Sequence, residues 1–259
     1  MTEERANLLK PVLDTLENAD IKNFAMQVLD DLPEYIWHVG VSSTGKYHPE
    51  YSLGEGGLMR HQMAVVRFLN FFFELEQYDS KLTSREKDLM RVAGLVHDGM
   101  KSGTMEQFSA SKYTKFEHPL LMANKIREYK DILPEEELEL IADAISKHMG
   151  QWNTDKKSDV VLPKPNGKFS RMLHVADYLA SRKCLTMDFD NYVSNKPDIP
   201  DLQTFVMPFG NKHKGELLID IAKNDPSYIV WMRENIRREP FISLIKQLDT
   251  LKEGENATE

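Results

Sequence analysis

The residues of this sequence best suited to chemistry are histidines and aspartates on the apolar faces of separate helical segments. His61 lies on the stripe of Leu58, Val65 and Leu69, and His148 continues the stripe of Leu138, Ile141 and Ile145. Asp177 falls between Leu173 and Ala180 at helical spacing, where an apolar residue is expected. One histidine on an apolar face is more often a hydrogen-bonded core residue than a ligand; several on separate helices point to convergence. A buried carboxylate needs a cation or strong donors to stay charged. Imidazoles and carboxylates meeting inside a helical bundle are the arrangement by which such folds hold metals. His97 and Asp98 are adjacent at the end of a predicted helix, so both can turn into one cavity, and a carboxylate can bridge two cations. His118 and His148 would complete the second position. Mixed imidazole and carboxylate ligation suits Mn, Fe, Ni or Zn.

The elements that must carry these residues are helices almost throughout, which predicts an all-α fold. Residues 4–31 show an amphipathic pattern stopped by Pro33. The stretch GVSSTGKYHPEYSLGE (40–55) is rich in Gly, Ser and Pro and reads as a loop. A helix is expected from about Gly57 to Gln77, and another from the capping-box sequence Thr83-Ser84-Arg85-Glu86 to about His97. Pro119 suits the first turn of a helix ending near Tyr129. Pro134 followed by three glutamates opens a helix that reaches about Met149. Residues 150–168 read as a loop, and roughly 169–183 as a further helix. The expected organisation is an N-terminal helical segment (1–39), a main helical domain (40–187), a linker (188–203) and a small, mainly helical C-terminal module (204–259). Only the tail KEGENATE looks disordered.

Taken in order, His, His-Asp, His, His and Asp within a helical chain resembles the HD superfamily of metal-dependent phosphohydrolases. GEGGLMRH (54–61) is similar to the glycine-led segment before the family's first ligand, and LVHDGMK (95–101) to the HDxxK form of its central motif. HMGQW (148–152) and LHVADYLASR (173–182) resemble the later ligand segments, so the likeness covers roughly residues 40–184. It implies an HD-domain helical bundle in which His61, His97, Asp98 and Asp177 hold one divalent metal, while Asp98, His118 and His148 hold a second. It also implies phosphoester hydrolysis by a hydroxide that two metals activate. Asp98 and Lys101 are then the catalytic residues, with Lys101 contacting substrate phosphate. The GKYHP segment (45–49) also occurs in HD proteins related to exonucleases, which makes Lys46 and His48 candidate substrate contacts. His38 has no assigned role. His174 is a rival ligand or, as packing or support, a neighbour of one. Trp152 is placed either in the core or against a nucleobase.

Residues 204–232, TFVMPFGNKHKGELLIDIAKNDPSYIVWM, resemble the small C-terminal module of certain bacterial and phage exonucleases. The likeness rests on an FGKxKG-type run, a short apolar helix and a DPSYIxWM-like segment. FGNKHKG departs from it by one extra residue before the basic pair. This module makes Lys212 and Lys214 candidate substrate contacts. From Thr204 to Arg238 there are six Lys/Arg and four Asp/Glu, a balance of +2 that leaves −10 for the rest of a chain whose net charge is −8. A locally basic segment with Phe209, Tyr228 and Trp231 suits single-stranded nucleic acid; aromatics forming a small core are the alternative.

At 259 residues the chain accommodates one helical domain and a smaller appendage. Its acidity argues against a protein that coats nucleic acid, since those carry excess Lys and Arg. The opening MTEERANLLK has no signal-peptide pattern, and the apolar cluster from Phe68 to Leu75 is too short to span a bilayer. The lone Cys184, expected to pack between helices, suits a reducing cytoplasm. The leading expectation is hydrolysis of phosphodiester bonds in nucleic acid or oligonucleotides. The runner-up is a nucleotidase or phosphodiesterase acting on a dNTP, cyclic or dinucleoside substrate. A nucleotide sensor without catalysis ranks below both, because every ligand position is filled, and a nucleic-acid-binding module without chemistry ranks last.

Overall fold

The computed structural model describes residues 1–42, 47–189, 201–236 and 240–256. Among these the secondary structure is helical, with no β-strand. The chain divides into two compact units, Met1–Tyr192 and Val193–Glu259.

In the first unit, α1 (Glu3–Leu13) and α2 (Ala19–Asp31) divide the N-terminal amphipathic stretch, and α2 stops just before Pro33. The break between them is held from a distance by Asp88. Its Oδ2 accepts the Glu17 amide (2.9 Å), the Asn18 amide (2.8 Å) and the Asn18 carboxamide (2.8 Å). Its Oδ1 accepts from Arg91 at 2.7 Å. Asp88 is fully buried, and these donors satisfy its carboxylate oxygens inside the core.

A short 3-10 turn, Glu50–Ser52, precedes α3 (Gly57–Phe73). Gly57 lies so close to this turn that a Cβ there would sit 2.3 Å from the Ser52 carbonyl oxygen. The glycine-led motif thus sets where α3 begins and, one turn later, where His61 points. The helix ends at Phe73, short of the expected Gln77, and a separate turn, α4 (Glu76–Asp79), follows. Beyond Phe73 the apolar stripe no longer meets the core, and Leu75 is half-exposed. α5 (Ser84–Val96) starts at a capping box in which Thr83 and Glu86 cap each other's amides. After α6 (Met105–Ala110), α7 (His118–Arg127) opens with Pro119 in its first turn. α8 (Glu135–Ser146) carries its three glutamates at the positive end of the helix dipole and stops before Met149, where the chain turns at Gly150. α9 (Lys168–Ala180) completes the unit.

α3 packs against α5 and α9, α5 against α8, and α8 against α7 and α9. Leu9, Ile21, Phe24 and Val28 of the N-terminal helices are fully buried in the same core as Leu58, Leu95 and Ile145. Cys184 lies beyond the end of α9 and is exposed, not packed between helices as expected.

In the second unit, α10 (Leu218–Asn224), α11 (Pro226–Asn235) and α12 (Phe241–Asn256) enclose Met207, Leu218, Ile221, Met232 and Leu244. Asp225 links α10 to α11 and caps the latter through the Tyr228 amide. α12 runs to Asn256, through much of the tail expected to be disordered. Lys252, Glu253 and Glu255 favour helix enough to carry it past Gly254. Of the expected linker (188–203), residues 190–200 lie outside the described residues; Phe189 is buried in the first core and Leu202 in the second. Among the described residues, no helix is long and apolar enough to cross a membrane.

Candidate metal centre

Five elements of the first unit bring the ligand candidates together. α3 supplies His61, and the end of α5 supplies His97 with Asp98. His118 is the first residue of α7, His148 follows α8, and Asp177 sits in the last turn of α9. Their inward atoms are close. His61 Nε2 lies 3.1 Å from Asp177 Oδ1, which is 3.8 Å from His97 Nε2. Asp98 Oδ2 faces His97 Nε2 at 3.7 Å, while its Oδ1 faces His118 Nε2 at 3.0 Å and His148 Nε2 at 3.7 Å. The two oxygens of one carboxylate are therefore divided between two groups of imidazoles.

The ring orientations are fixed from behind. Nδ1 of His97 donates to the Gly94 carbonyl (2.9 Å), that of His118 to Lys115 (2.6 Å), and that of His148 to Ile145 (2.8 Å). With the proton on Nδ1, each Nε2 presents a lone pair to the centre. The Nε2 atoms of His118 and His148 lie only 3.3 Å apart. Burial pushes His148 down to about 3, helped by His97 beside it, and burial likewise holds His97 below its usual range. His97 and His148 are thus held in the neutral form.

The carboxylates are held charged. Burial alone would raise Asp98, but Lys101 and His97 hold it well below the usual range. Asp177 is lowered against burial by its hydrogen bond to His61 and by His97. Buried His61 Nδ1, His97 Nε2 and Asp98 Oδ1 have no hydrogen-bond partner among the described residues. The close His118–Asp98 approach is thus a contact out of line for a hydrogen bond. Converging lone pairs and anionic oxygens with nothing between them are what a divalent cation satisfies. Ligand atoms about 2 Å from one cation lie ~3 Å from each other, the spacing of the nearest pairs here.

Residues 58–182 match the family model of the HD domain. The first unit carries an HD domain. That unit is accordingly a metal-dependent phosphohydrolase, and the HD domain binds divalent metal. No curated protein and no solved structure matches the chain.

Around the HD centre lies a cleft of about 480 Å³. Lys101 Nζ contacts Asp98 Oδ2 and lines the cleft. Its turn is braced by Tyr35, whose hydroxyl donates to the Gly103 carbonyl and accepts the Ser102 amide, each at 2.9 Å. His48 also lines the cleft, edge-on to His61, with its Nδ1 buried and unpaired among the described residues. Burial, with His61 and Lys101 nearby, pushes it down to about 4. Lys46 lies outside the described residues. His38 sits on the surface against Glu34 and Glu55.

His174 is not turned into the centre. Its Nδ1 donates to the His148 carbonyl (2.7 Å) and its Nε2 meets the Gln151 carboxamide (3.0 Å). It stands behind a ligand. Trp152 is 46% exposed at the cleft, which removes the core reading of that residue. Tyr178 and Arg182, which the sequence reading passed over, line the same cleft. The signal for them was helical spacing, at one and five residues beyond Asp177. In the second unit Lys212 pairs with Asp225 and Lys214 is exposed.

Proposed function

We propose that this HD protein is a two-metal phosphodiesterase acting on nucleic acid or oligonucleotides. The observation that carries the reading is a pair of clefts, one at the metal centre and one beside it, that meet at Lys101. The first, described above, and a second of about 490 Å³ share Val41, Ser42, Lys101 and Thr114. A phosphodiester carries an organic group on each side of phosphorus, whereas a monoester needs room on one side only. Lys101 stands where the clefts join and also touches Asp98, so its ammonium is suited to hold the scissile phosphate against the centre.

His61, His97, Asp98 and Asp177 would hold one cation; His118 and His148 would hold the other, with Asp98 shared. Such cations supply Lewis-acid polarisation of phosphoryl oxygens and a lowered pKa for attacking water. The chain's own part is orientation. Nδ1 bonds to main-chain carbonyls fix the rings of His97, His118 and His148, and neutral His48 lines the cleft edge-on to His61. The second unit adds support for a polynucleotide. Its Trp231 is 46% exposed and stacks on Tyr228 at 5.3 Å, within a segment of net positive charge.

A small nucleotide is the second reading, favoured by the overall charge of −8. The deciding experiment supplies Mn²⁺ and compares single-stranded DNA, RNA, cyclic dinucleotides and deoxynucleoside triphosphates. Shortening of the single strands is expected. Turnover confined to the triphosphates would replace the proposal with a nucleotidase, and inertness towards all four would remove both.

A further inference from the structure

Beside the metal centre, the cleft carries an aromatic surface with no part in holding a cation. Trp152 and Tyr178 stack at 5.8 Å with their planes 14° apart, and both remain more than a third exposed. The Arg182 guanidinium lies over the Tyr178 ring at 4.3 Å. Its Nε–H is buried beneath this surface with no hydrogen-bond partner among the described residues. A partly exposed tryptophan at a cleft loses apolar contact with water only when something flat covers it.

The surface is tied to the ligands by short connections. Tyr178 follows Asp177 directly, and Arg182 lies just past the same helix. Trp152 follows His148 through the Gly150 turn. Gly150 has φ +59°, and a Cβ there would fall 2.1 Å from the His174 ring. His174 therefore packs flush on the turn while its Nδ1 holds the His148 carbonyl, and its ring lies 6.1 Å from that of Trp152. One histidine fixes both the ligand loop and the tryptophan.

We infer that Trp152, Tyr178 and Arg182 form a nucleobase-stacking subsite, which seats the base of the nucleotide whose phosphate lies at the metal centre. This rests on the phosphodiesterase reading for its place in turnover. Binding tests it separately. Stacking on an aromatic side chain contributes enough that its loss is expected to weaken nucleotide binding about tenfold.

The test uses the full chain with Mn²⁺ and measures calorimetric affinity for deoxyadenosine 5′-monophosphate and for 2-deoxyribose 5-phosphate, which lacks the base. Trp152→Ala should lower the first about tenfold and leave the second unchanged, while Trp152→Phe keeps most of the discrimination. Equal affinities for the two ligands in the wild-type protein, or an unchanged ratio in Trp152→Ala, would overturn the subsite. Turnover is then compared on thymidine 5′-(p-nitrophenyl phosphate) and methyl p-nitrophenyl phosphate, which share a leaving group. Preference for the nucleoside ester should collapse in Trp152→Ala. Inertness towards both esters with base-dependent binding intact would sink the phosphodiesterase reading alone. Hydrolysis of both with no effect of Trp152 would sink the subsite alone.

Discussion

Each unit of this chain carries a tryptophan stacked on a tyrosine with a histidine packed against the pair. In the first, Trp152 stacks on Tyr178 and His174 packs against the tryptophan; in the second, Trp231 stacks on Tyr228 and His213 packs against the tyrosine, its ring 4.6 Å away. The same three residue types serve different ends because their imidazoles have different partners. His174 donates to a main-chain carbonyl and so positions the backbone that carries His148. His213 has Glu216 on one ring nitrogen and Asp225 on the other, each at 3.0 Å. Those carboxylates raise its pKa, Glu216 most. A ring with both nitrogens taken by anions is a cationic pin and has no lone pair for a metal. His97 and His148 of the HD centre are the reverse case, held neutral by burial with Nδ1 on a main-chain carbonyl and a lone pair facing inward. The identity of the atom behind an imidazole decides whether it binds a cation or acts as one.

The strongest way to break this contrast is at Asp98. Asp98→Asn keeps the shape but removes the anionic oxygens divided between the two imidazole groups. Activity should fall by at least about a hundredfold, the upper end of what losing even an outer partner of a metal site costs. Bound metal measured by mass spectrometry should fall with it, and His213→Gln should leave metal content untouched. Full metal loading in Asp98→Asn would remove the bridging role.

Gly150→Ala is the intermediate test. The left-handed backbone alone costs about 1–2 kcal/mol for a residue with a Cβ, and here the methyl also displaces His174. Urea unfolding should show at least that loss, together with weaker Mn²⁺ binding, because His148 shares the displaced turn. A variant as stable as the wild type would mean that the turn is not held by His174.

The smallest effect is expected in the second unit. The raised pKa of His213 means that the folded unit holds its proton more tightly than the unfolded chain. Its stabilisation is therefore complete below the ordinary histidine pKa and is lost as pH rises through the raised value. Asp225, lowered mainly by Lys212, contributes in the opposite sense, above the ordinary carboxylate range, until pH falls through its own low pKa. Thermal unfolding between about pH 6 and 9 should weaken more steeply in the wild type than in His213→Gln. Parallel curves would show that the ring is not charged in the folded unit.

Much of the HD centre was legible because its residues break a local pattern. His61 and Asp177 interrupt apolar stripes, and Thr83–Glu86 and Pro134 mark helix starts by chemistry that needs no distant partner. What was illegible depended on contacts made far along the chain. Trp152 faces the cleft because Gly150 folds its turn onto His174, a contact that helical periodicity cannot express. The end of α3 at Phe73 follows from where the core stops, not from any breaker in the sequence. The pairing of Lys212 with Asp225 likewise depends on the turn between α10 and α11. Cys184 was judged by its residue type, whereas its exposure follows from its position past the end of α9.

Asp88 carries a consequence for how the molecule is made. The turn joining α1 to α2 donates three hydrogen bonds to a carboxylate some seventy residues later, and α2 has no side-chain cap of its own. During synthesis the first two helices emerge long before that carboxylate exists as a partner, so these three bonds can form only after α5 has left the ribosome. Conversely, a chain trimmed to begin after residue 20 would leave a carboxylate oxygen without these donors on the buried face of the helix that ends in His97 and Asp98. The turn between the first two helices is thus translated early but anchored only once α5 has been made.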